Sequence, residues 1–250
     1  NAYFVGKIGK LGIDFNSDYY WKKESRPMYN DERYKEVGQT ETHRLVNSRQ
    51  NNASRLFANK LVLSFPLAKG DFSVGGEYSH SRRKNLYAVL PTGVVDDENN
   101  RIKENIASVF MDYSKQFGKV GLQVGLRYER VGFNYYERDV LVHAQSKRYA
   151  DWFPSLTLSF PVHAVQMQLS YSSDINRPTF QKLRSGVQFD NRFTYESGNP
   201  FLLPAISRNL SYALSWKWIS LSAMFARVSN QTCYIMQHYK GDPTTTLLQK

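Results

Sequence analysis

Side chains able to carry catalysis or hold a metal ion are few and scattered in this chain of 250 residues. Its five histidines show no HxH or HExxH spacing and so do not predict a zinc site. They are His43, His80, His143, His163 and His238. The single cysteine, Cys233, excludes an internal disulfide and a thiolate metal motif. No nucleophile elbow, phosphate loop or dinucleotide fingerprint is present. The sequence therefore predicts a protein that is not an enzyme and has no metal or cofactor.

Two groups of polar residues could still bind a ligand. The acidic run Asp96, Asp97 and Glu98 has oxygen ligands suited to calcium, but it lacks the ordered spacing of a known loop, so a solvated loop tip is favoured. Arg127 and Glu129 alternate with apolar residues and, with Gln123, are candidates to line a lumen and hydrogen-bond a solute. For the charged pair, a cross-strand ion pair that satisfies charge is the favoured role.

The net charge of +11 raises the question of a nucleic-acid partner. The basic residues are spread over several segments, without a helix face or a stacking platform that would organise them. Nucleic acid is therefore not expected. Solvated loops explain the charge better, and a surface facing anionic lipid head groups is compatible with it.

The elements that must position these residues are strands. About ten segments alternate between apolar and polar residues, most clearly from Val120 to Glu129. Alternation places successive side chains on opposite faces of a strand. The residues expected to face lipid are Leu122, Val124 and Leu126, and those expected to face the interior are Gln123, Gly125 and Arg127.

Short and long connections alternate along the chain. Tight turns are predicted at Gly9–Leu11, Ala68–Asp71, Phe117–Lys119 and Val162–Ala164. Long connections are predicted at Lys22–Asn51, Arg82–Glu104, Glu137–Ala150 and Asp174–Arg208. In an antiparallel meander, every second connection lies at the same end, so all tight turns share one end. This asymmetry is typical of outer-membrane barrels. We therefore predict an all-β protein, an antiparallel up-and-down transmembrane β-barrel.

A soluble extracellular β-sandwich also has one apolar face per strand, so alternation alone leaves both folds open. Such a sandwich would bind glycans through loop aromatics such as Tyr19, Tyr20 and Trp21. Strands of ten or more residues and aromatic residues beside the tight turns favour the membrane barrel. Those aromatic residues are Phe65, Phe72, Phe117, Phe160, Trp216 and Trp218.

The segment from Asp174 to Trp216 carries the most specific motif. It contains Arg177-Pro178, then the element Gly198-Asn199-Pro200-Phe201-Leu202-Leu203-Pro204, then Asn209, expected to open the next strand. It resembles the signature region of TonB-dependent outer-membrane receptors, in the outer-membrane β-barrel family common in Bacteroidetes. Leu203 departs from the family pattern, where a charged residue is frequent.

The resemblance implies a plugged barrel of about 22 strands, of which residues 1–250 would be a fragment of the C-terminal barrel domain without the plug. It implies a bacterial outer-membrane receptor that binds a solute through extracellular loops and imports it. The implied partners are outer-membrane lipid, an unknown solute and a TonB-type energy-coupling complex acting through the plug.

The motif residues are expected to shape the long connection. Gly198 tolerates a positive φ, whereas Pro200 and Pro204 fix φ and hold the residues before them extended. The segment Asp174–Arg208 would then descend as an ordered arm and enter the next strand in register. Direct contact with the ligand is the alternative role for these residues.

Overall fold

The computed structural model describes residues 1–249 and contains no α-helix within them. Ten strands form one antiparallel sheet in chain order, and four shorter strands form a second sheet. The large sheet consists of β1 (Ala2–Ile8), β2 (Leu11–Tyr34), β3 (Thr42–Leu67), β4 (Gly70–Leu90), β5 (Glu98–Phe117), β6 (Val120–Glu137), β8 (Lys147–Val162), β9 (Val165–Asn176), β12 (Ala205–Trp216) and β13 (Ile219–Ser229), with the two-residue β7 (Val140–Leu141) paired to β6. The small sheet consists of β10 (Val187–Asn191), β11 (Thr194–Ser197), β14 (Ile235–Tyr239) and β15 (Asp242–Gln249). The all-β meander predicted from the alternation is confirmed.

All four predicted tight turns are confirmed. Each is a two-residue turn, and a fifth follows β12 at residues 217–218. Backbone φ is positive at Gly9 and Gly118, and also at Ala68 and Lys69, as hairpin turns that match strand twist require. Because every second connection of an antiparallel meander lies at the same end, these five turns share one end of the large sheet, whereas the two-residue turn at residues 138–139 lies at the other.

The prediction of four long connections is wrong for the first two of them. β2 and β3 pair from residue 12 to residue 64, so most of Lys22–Asn51 is strand and only residues 35–41 connect the two. The connection between β4 and β5 shrinks to residues 91–97. These polar, tyrosine-rich stretches resemble loops in composition, but backbone pairing does not require apolar side chains. The third connection is confirmed in part, because β6 ends at Glu137 as predicted and β8 begins at Lys147. The fourth connection, residues 177–204, is the longest.

The half of each strand next to the tight turns has an apolar outer face. In β6 this part spans nine residues, Val120 to Tyr128, which matches the length of a tilted membrane strand. Its outer side chains are Leu122, Val124, Leu126 and Tyr128. On the outer face Tyr128 packs on Trp152 with ring centroids 4.7 Å apart, and Trp21, Phe57 and Tyr78 share this face in β2, β3 and β4. We call the strand segments between the tight turns and these aromatic residues the membrane half, and the rest the distal half.

In the distal half of β5 and β6 the polarity of the two faces is reversed. Continuing along β6, the outer positions are Arg130, Gly132 and Asn134, whereas the inner positions Val131, Phe133 and Tyr135 are 1%, 6% and 0% exposed. β5 shows the same change, because Ile102 on its inner face is buried while Lys103 lies on its outer face. The apolar residues have moved to the inner face because the chain covers that face itself.

Phe110 interrupts the polar inner row of β5. It lies directly opposite Gly75 of β4, and its ring occupies the space where a side chain at Gly75 would be. The aromatic ring thus covers a glycine on the neighbouring strand. This pairing explains an exception to the alternation that the sequence of β5 alone does not.

The first and last strands of the large sheet, β1 and β13, each pair with one neighbour only, because they are not joined to each other within residues 1–249. No helix among the described residues has the length and apolar character needed to cross a membrane.

Candidate functional site: the inner face and its covering segment

The fourth connection, residues 177–204, folds onto the inner face of the sheet. It contains a single 3-10 turn, Phe180–Leu183, followed by β10 and β11. Leu183 packs in a buried cluster with Ile102, Phe133 and Tyr135 of the wall. We call residues 177–204 the covering segment. It is an ordered arm, as expected, but an ion pair and hydrogen bonds to the wall hold it in place in addition to its prolines.

Arg177, the first motif residue, binds the wall of the sheet. Its guanidinium forms an ion pair with Glu129, whose side chain is 1% exposed. The same carboxylate lies 2.5 Å from Nη2 of Arg127. The ion pair predicted for Arg127 and Glu129 therefore exists, but within one strand and not across two. One buried carboxylate joins two guanidiniums, one of them from the covering segment.

The Gly-Asn-Pro element closes on the 3-10 turn. Asn199 donates its backbone N–H to the carbonyl of Lys182 at 2.6 Å, and its side-chain oxygen accepts from the N–H of Phe201 at 2.9 Å. A Cβ at Gly198 would lie 2.6–2.8 Å from the carbonyl oxygens of residues 181, 182 and 184. The expectation of a positive φ at Gly198 is wrong. Glycine is required because two backbone segments approach closely there.

Lys147, the first residue of β8, anchors the same element. Its Nζ donates to the carbonyl oxygens of Pro200 at 2.8 Å and Leu202 at 2.6 Å. Burial lowers the pKa of Lys147 to about 8. Pro178 and Pro204 meet beside it, lining a small cavity with Phe133 and Tyr149. The two ends of the motif are thus brought together at one point of the wall.

Further along the covering segment, polar groups of the wall bind its backbone. The hydroxyl of Tyr135 lies 2.8 Å from Oγ of Ser185 and accepts the backbone N–H of that residue at 3.1 Å. Glu98 accepts the N–H of Gly186 at 3.3 Å, and burial raises the pKa of its carboxyl against the opposing charge of Arg184. These contacts satisfy backbone groups that burial would otherwise leave unpaired.

A cleft of about 390 Å³ lies at the distal end, between the ends of β2 and β3 and the small sheet. Arg192 donates to Oγ1 of Thr42 at 3.2 Å, and its guanidinium lies 4.6 Å from the ring centroid of Tyr34. Tyr34 also packs edge-on against Phe193. Arg44, Asp242 and Thr244 complete a lining that offers charged, hydroxyl and aromatic groups.

A second cleft of about 370 Å³ lies between the covering segment and the wall. Ser79, Arg83 and Glu104 line it from the wall, and Arg177 and Phe180 from the segment. Its lining is mixed, so a polar solute would find donors, acceptors and an aromatic ring.

The structure places the nine candidate residues in three groups. Arg177, Arg127 and Glu129 meet in the ion-pair cluster. The second group is the docked Gly-Asn-Pro element with the proline that lies beside it, and its members are Pro178, Gly198, Asn199, Pro200 and Pro204. Gln123 lies on the inner face of the membrane half, apart from both groups.

Three residues that hold the segment in place, Lys147, Tyr135 and Glu98, were not predicted to do so from the sequence. A lysine before alternating residues carries no local sign that it binds a loop 53 residues later. The expectation that Asn209 opens a strand is also wrong, because β12 begins at Ala205.

The acidic run does not form a cation site. Asp96 and Asp97 are exposed, whereas Glu98 is buried against the covering segment. Within residues 1–249, no three His, Cys, Asp or Glu residues are grouped so that they could hold a metal ion.

Similar folds occur in transporters of known structure. The copper transporter OprC matches with a TM-score of 0.64 and 11% identity over 98% of this chain. The ferric citrate transporter FecA, in its unliganded form, matches with a TM-score of 0.52 and 11% identity over 84% of this chain. At such identity the likeness shows the fold alone. This chain covers 39% of the first structure and 30% of the second.

No curated protein matches the chain in sequence. A family model does match, over residues 4–249, and its description is outer membrane protein beta-barrel family. The soluble sandwich is therefore the wrong alternative, since the ten strands form one sheet in chain order, as they do in a barrel wall. The chain belongs to the outer membrane protein beta-barrel family and is a protein of the bacterial outer membrane.

Proposed function

We propose that this chain forms part of an outer-membrane receptor that binds a solute at its distal end and imports it along the inner face. The observation that carries the proposal is the inner face itself. A segment of the chain with its own polar contacts lies inside the wall, next to two solute-sized clefts with charged and aromatic linings.

The two clefts have different roles in this proposal. The distal cleft, with Arg192, Tyr34 and Thr42, first captures the solute. Gln123 and Arg127, on the inner face of the membrane half, line the path that follows. The motif residues hold the covering segment against the wall and so set the width of that path.

The remaining parts of the transporter belong to the same proposal. The unpaired edges of β1 and β13 would continue into further strands of a larger barrel, of the order of 22 in plugged transporters. A plug would close this barrel and couple it to a TonB-type complex. OprC, a copper transporter, and FecA, a ferric citrate transporter, share the fold and are consistent with this role.

Solute depletion tests the proposal whatever the chemical identity of the solute. Cells expressing the full-length protein and deletion cells are grown in the same medium, and the solutes that remain are compared by mass spectrometry. At least one solute should be depleted only when the protein is present and the inner membrane is energised. Equal depletion by both strains, or depletion that a protonophore leaves unchanged, would contradict the proposal.

A matched pair of variants locates the capture site. Arg192→Ala removes a guanidinium that lines the distal cleft and should slow the depletion at low solute concentration. Arg33→Ala removes an arginine on the outer face of β2 and should leave it unchanged. If the two variants behave alike, the distal cleft is not the capture site.

A further inference from the structure

The outer face of β2–β5 carries six basic side chains just beyond the aromatic residues of the membrane half. Register places Arg55 directly opposite Arg82, and Arg82 directly opposite Lys103. In the next outer row Lys84 lies opposite Arg101. We call these residues the basic patch; its members are Lys23, Arg55, Arg82, Lys84, Arg101 and Lys103.

Such an arrangement is unfavourable by itself, because like charges directly opposite on neighbouring strands destabilise a sheet. Arg101 has one carboxylate partner, Asp139, at 2.5 Å. On the outer face of the described strands β2–β5 the one carboxylate is Asp31. Asp31 lies eight positions beyond Lys23 along β2 and pairs with His43. Arg55 and Arg82 are exposed and have no ion-pair partner among residues 1–249. Apart from the Arg101–Asp139 pair, the patch therefore has no counter-ion among these residues.

The position of the patch indicates what supplies them. Trp21 lies opposite Arg55, and Tyr19 lies opposite Phe57 one outer row closer to the tight turns. Aromatic residues of this kind mark the boundary between hydrocarbon and head groups. The cations of the patch thus stand at head-group level, on the side away from the tight turns, and they continue the lipid-facing surface without a break.

We propose that the basic patch binds the phosphate groups of an anionic lipid in the outer leaflet. A lipid fits because its acyl chains cover the apolar outer face below while its phosphates reach the guanidiniums above. Two outer rows, each with opposed cations, suit a head group with more than one phosphate. Arginine binds phosphate oxygens through paired N–H groups.

The test uses the full-length protein in lipid nanodiscs of phosphatidylcholine with a minor fraction of lipid A or of dephosphorylated lipid A. Retention of each glycolipid is measured by native mass spectrometry. The variant Arg55→Gln/Arg82→Gln/Lys103→Gln should bind lipid A roughly 100-fold more weakly than the wild type, since each cation contributes separately. The dephosphorylated lipid should be retained poorly by both.

Arg83→Gln is the matched control. Arg83 neighbours Arg82 in sequence but lies on the inner face, so its replacement should leave lipid A retention unchanged. Equal retention by the triple variant and the wild type would overturn the proposal. Loss of retention in the Arg83 variant, equal retention of the dephosphorylated lipid, or displacement of lipid A by inorganic phosphate alone would do so as well.

Stability in detergent separates lipid binding from a structural role. Without anionic lipid, the triple variant should melt at the same temperature as the wild type or higher, because like-charge repulsion has been removed. Addition of lipid A should then raise the melting temperature of the wild type only. A triple variant that melts lower in lipid-free detergent would show that the cations stabilise the protein themselves, and would contradict the proposal.

Discussion

In β5 and β6, the membrane half and the distal half of the strand have their apolar residues on opposite faces. In the membrane half of β6, Val124 on the outer face is 42% exposed in the isolated chain, and the inner face carries Gln123 and Arg127. In the distal half of the same strand, Phe133 and Tyr135 on the inner face are buried, and Asn134 lies on the outer face. The period of two continues unbroken through the change.

The difference shows that a strand can pass from lipid to water without a change in backbone structure. Outside the membrane half, water covers the outer face, so that face becomes polar. The inner face then needs an apolar cover, and the chain supplies one with its covering segment and small sheet. Val46, Val89 and Tyr195 form the buried cluster at the small sheet.

The largest effect is expected where the two halves meet. Glu129→Ala removes the carboxylate that joins Arg127 and Arg177, and leaves two guanidiniums without it. Loss of one partner from a buried ion pair costs about 3–5 kcal/mol. The free energy of unfolding of the full-length protein in detergent should fall by that amount. The exposed Glu137, replaced by alanine, serves as control and should change little.

A charge placed on the outer face should distinguish the two halves directly. Val124→Arg lies at the middle of the membrane half and should cost about 2–4 kcal/mol in a bilayer, whereas Asn134→Arg in the distal half should cost about 0–1 kcal/mol. Both positions are on the outer face of β6. Equilibrium unfolding from lipid vesicles measures the two values. Equal costs would contradict the division into two halves.

Loss of the Lys147 anchor should affect the distal half alone. Lys147→Met removes the donor to the carbonyls of Pro200 and Leu202, and hydrogen bonds to a charged group contribute about 1.5–3 kcal/mol. Amide exchange of the covering segment should accelerate accordingly, while exchange in the membrane half stays unchanged. Lys119→Met, in an exposed turn, is the matched control. Faster exchange throughout the sheet would show that the segment is not a separate unit.

The smallest effect concerns pH. Burial raises the pKa of Glu98, so the folded state holds this proton at a higher pH than the unfolded state does. Stability relative to Glu98→Gln should therefore be greatest below the ordinary pKa of 4.5 and should fall as pH rises through the raised pKa. Thermal melting of both proteins across this range measures the difference. A difference that stays constant with pH would contradict a raised pKa.

The sequence predicted the strand type, the tight turns and the two faces of β6, because turn residues and alternation are local properties. It failed at the distal ends of β2–β5, where polar strands resemble loops in composition. The sequence could not predict that Arg177 pairs with Glu129 or that Pro200 accepts from Lys147. In each case the two residues are about 50 positions apart along the chain and belong to no common motif.

The sequence by itself determined an all-β meander with tight turns at one end and a specific motif in residues 177–204. The physical reason is that positive φ at turns and a side-chain period of two are fixed by neighbouring residues. Only the tertiary structure decided that this segment lies inside the wall, that the carboxylate of Glu129 joins it to the wall, and that the apolar face changes sides along β5 and β6. These features depend on which distant surfaces meet, and on which of them lipid, water or the chain itself covers.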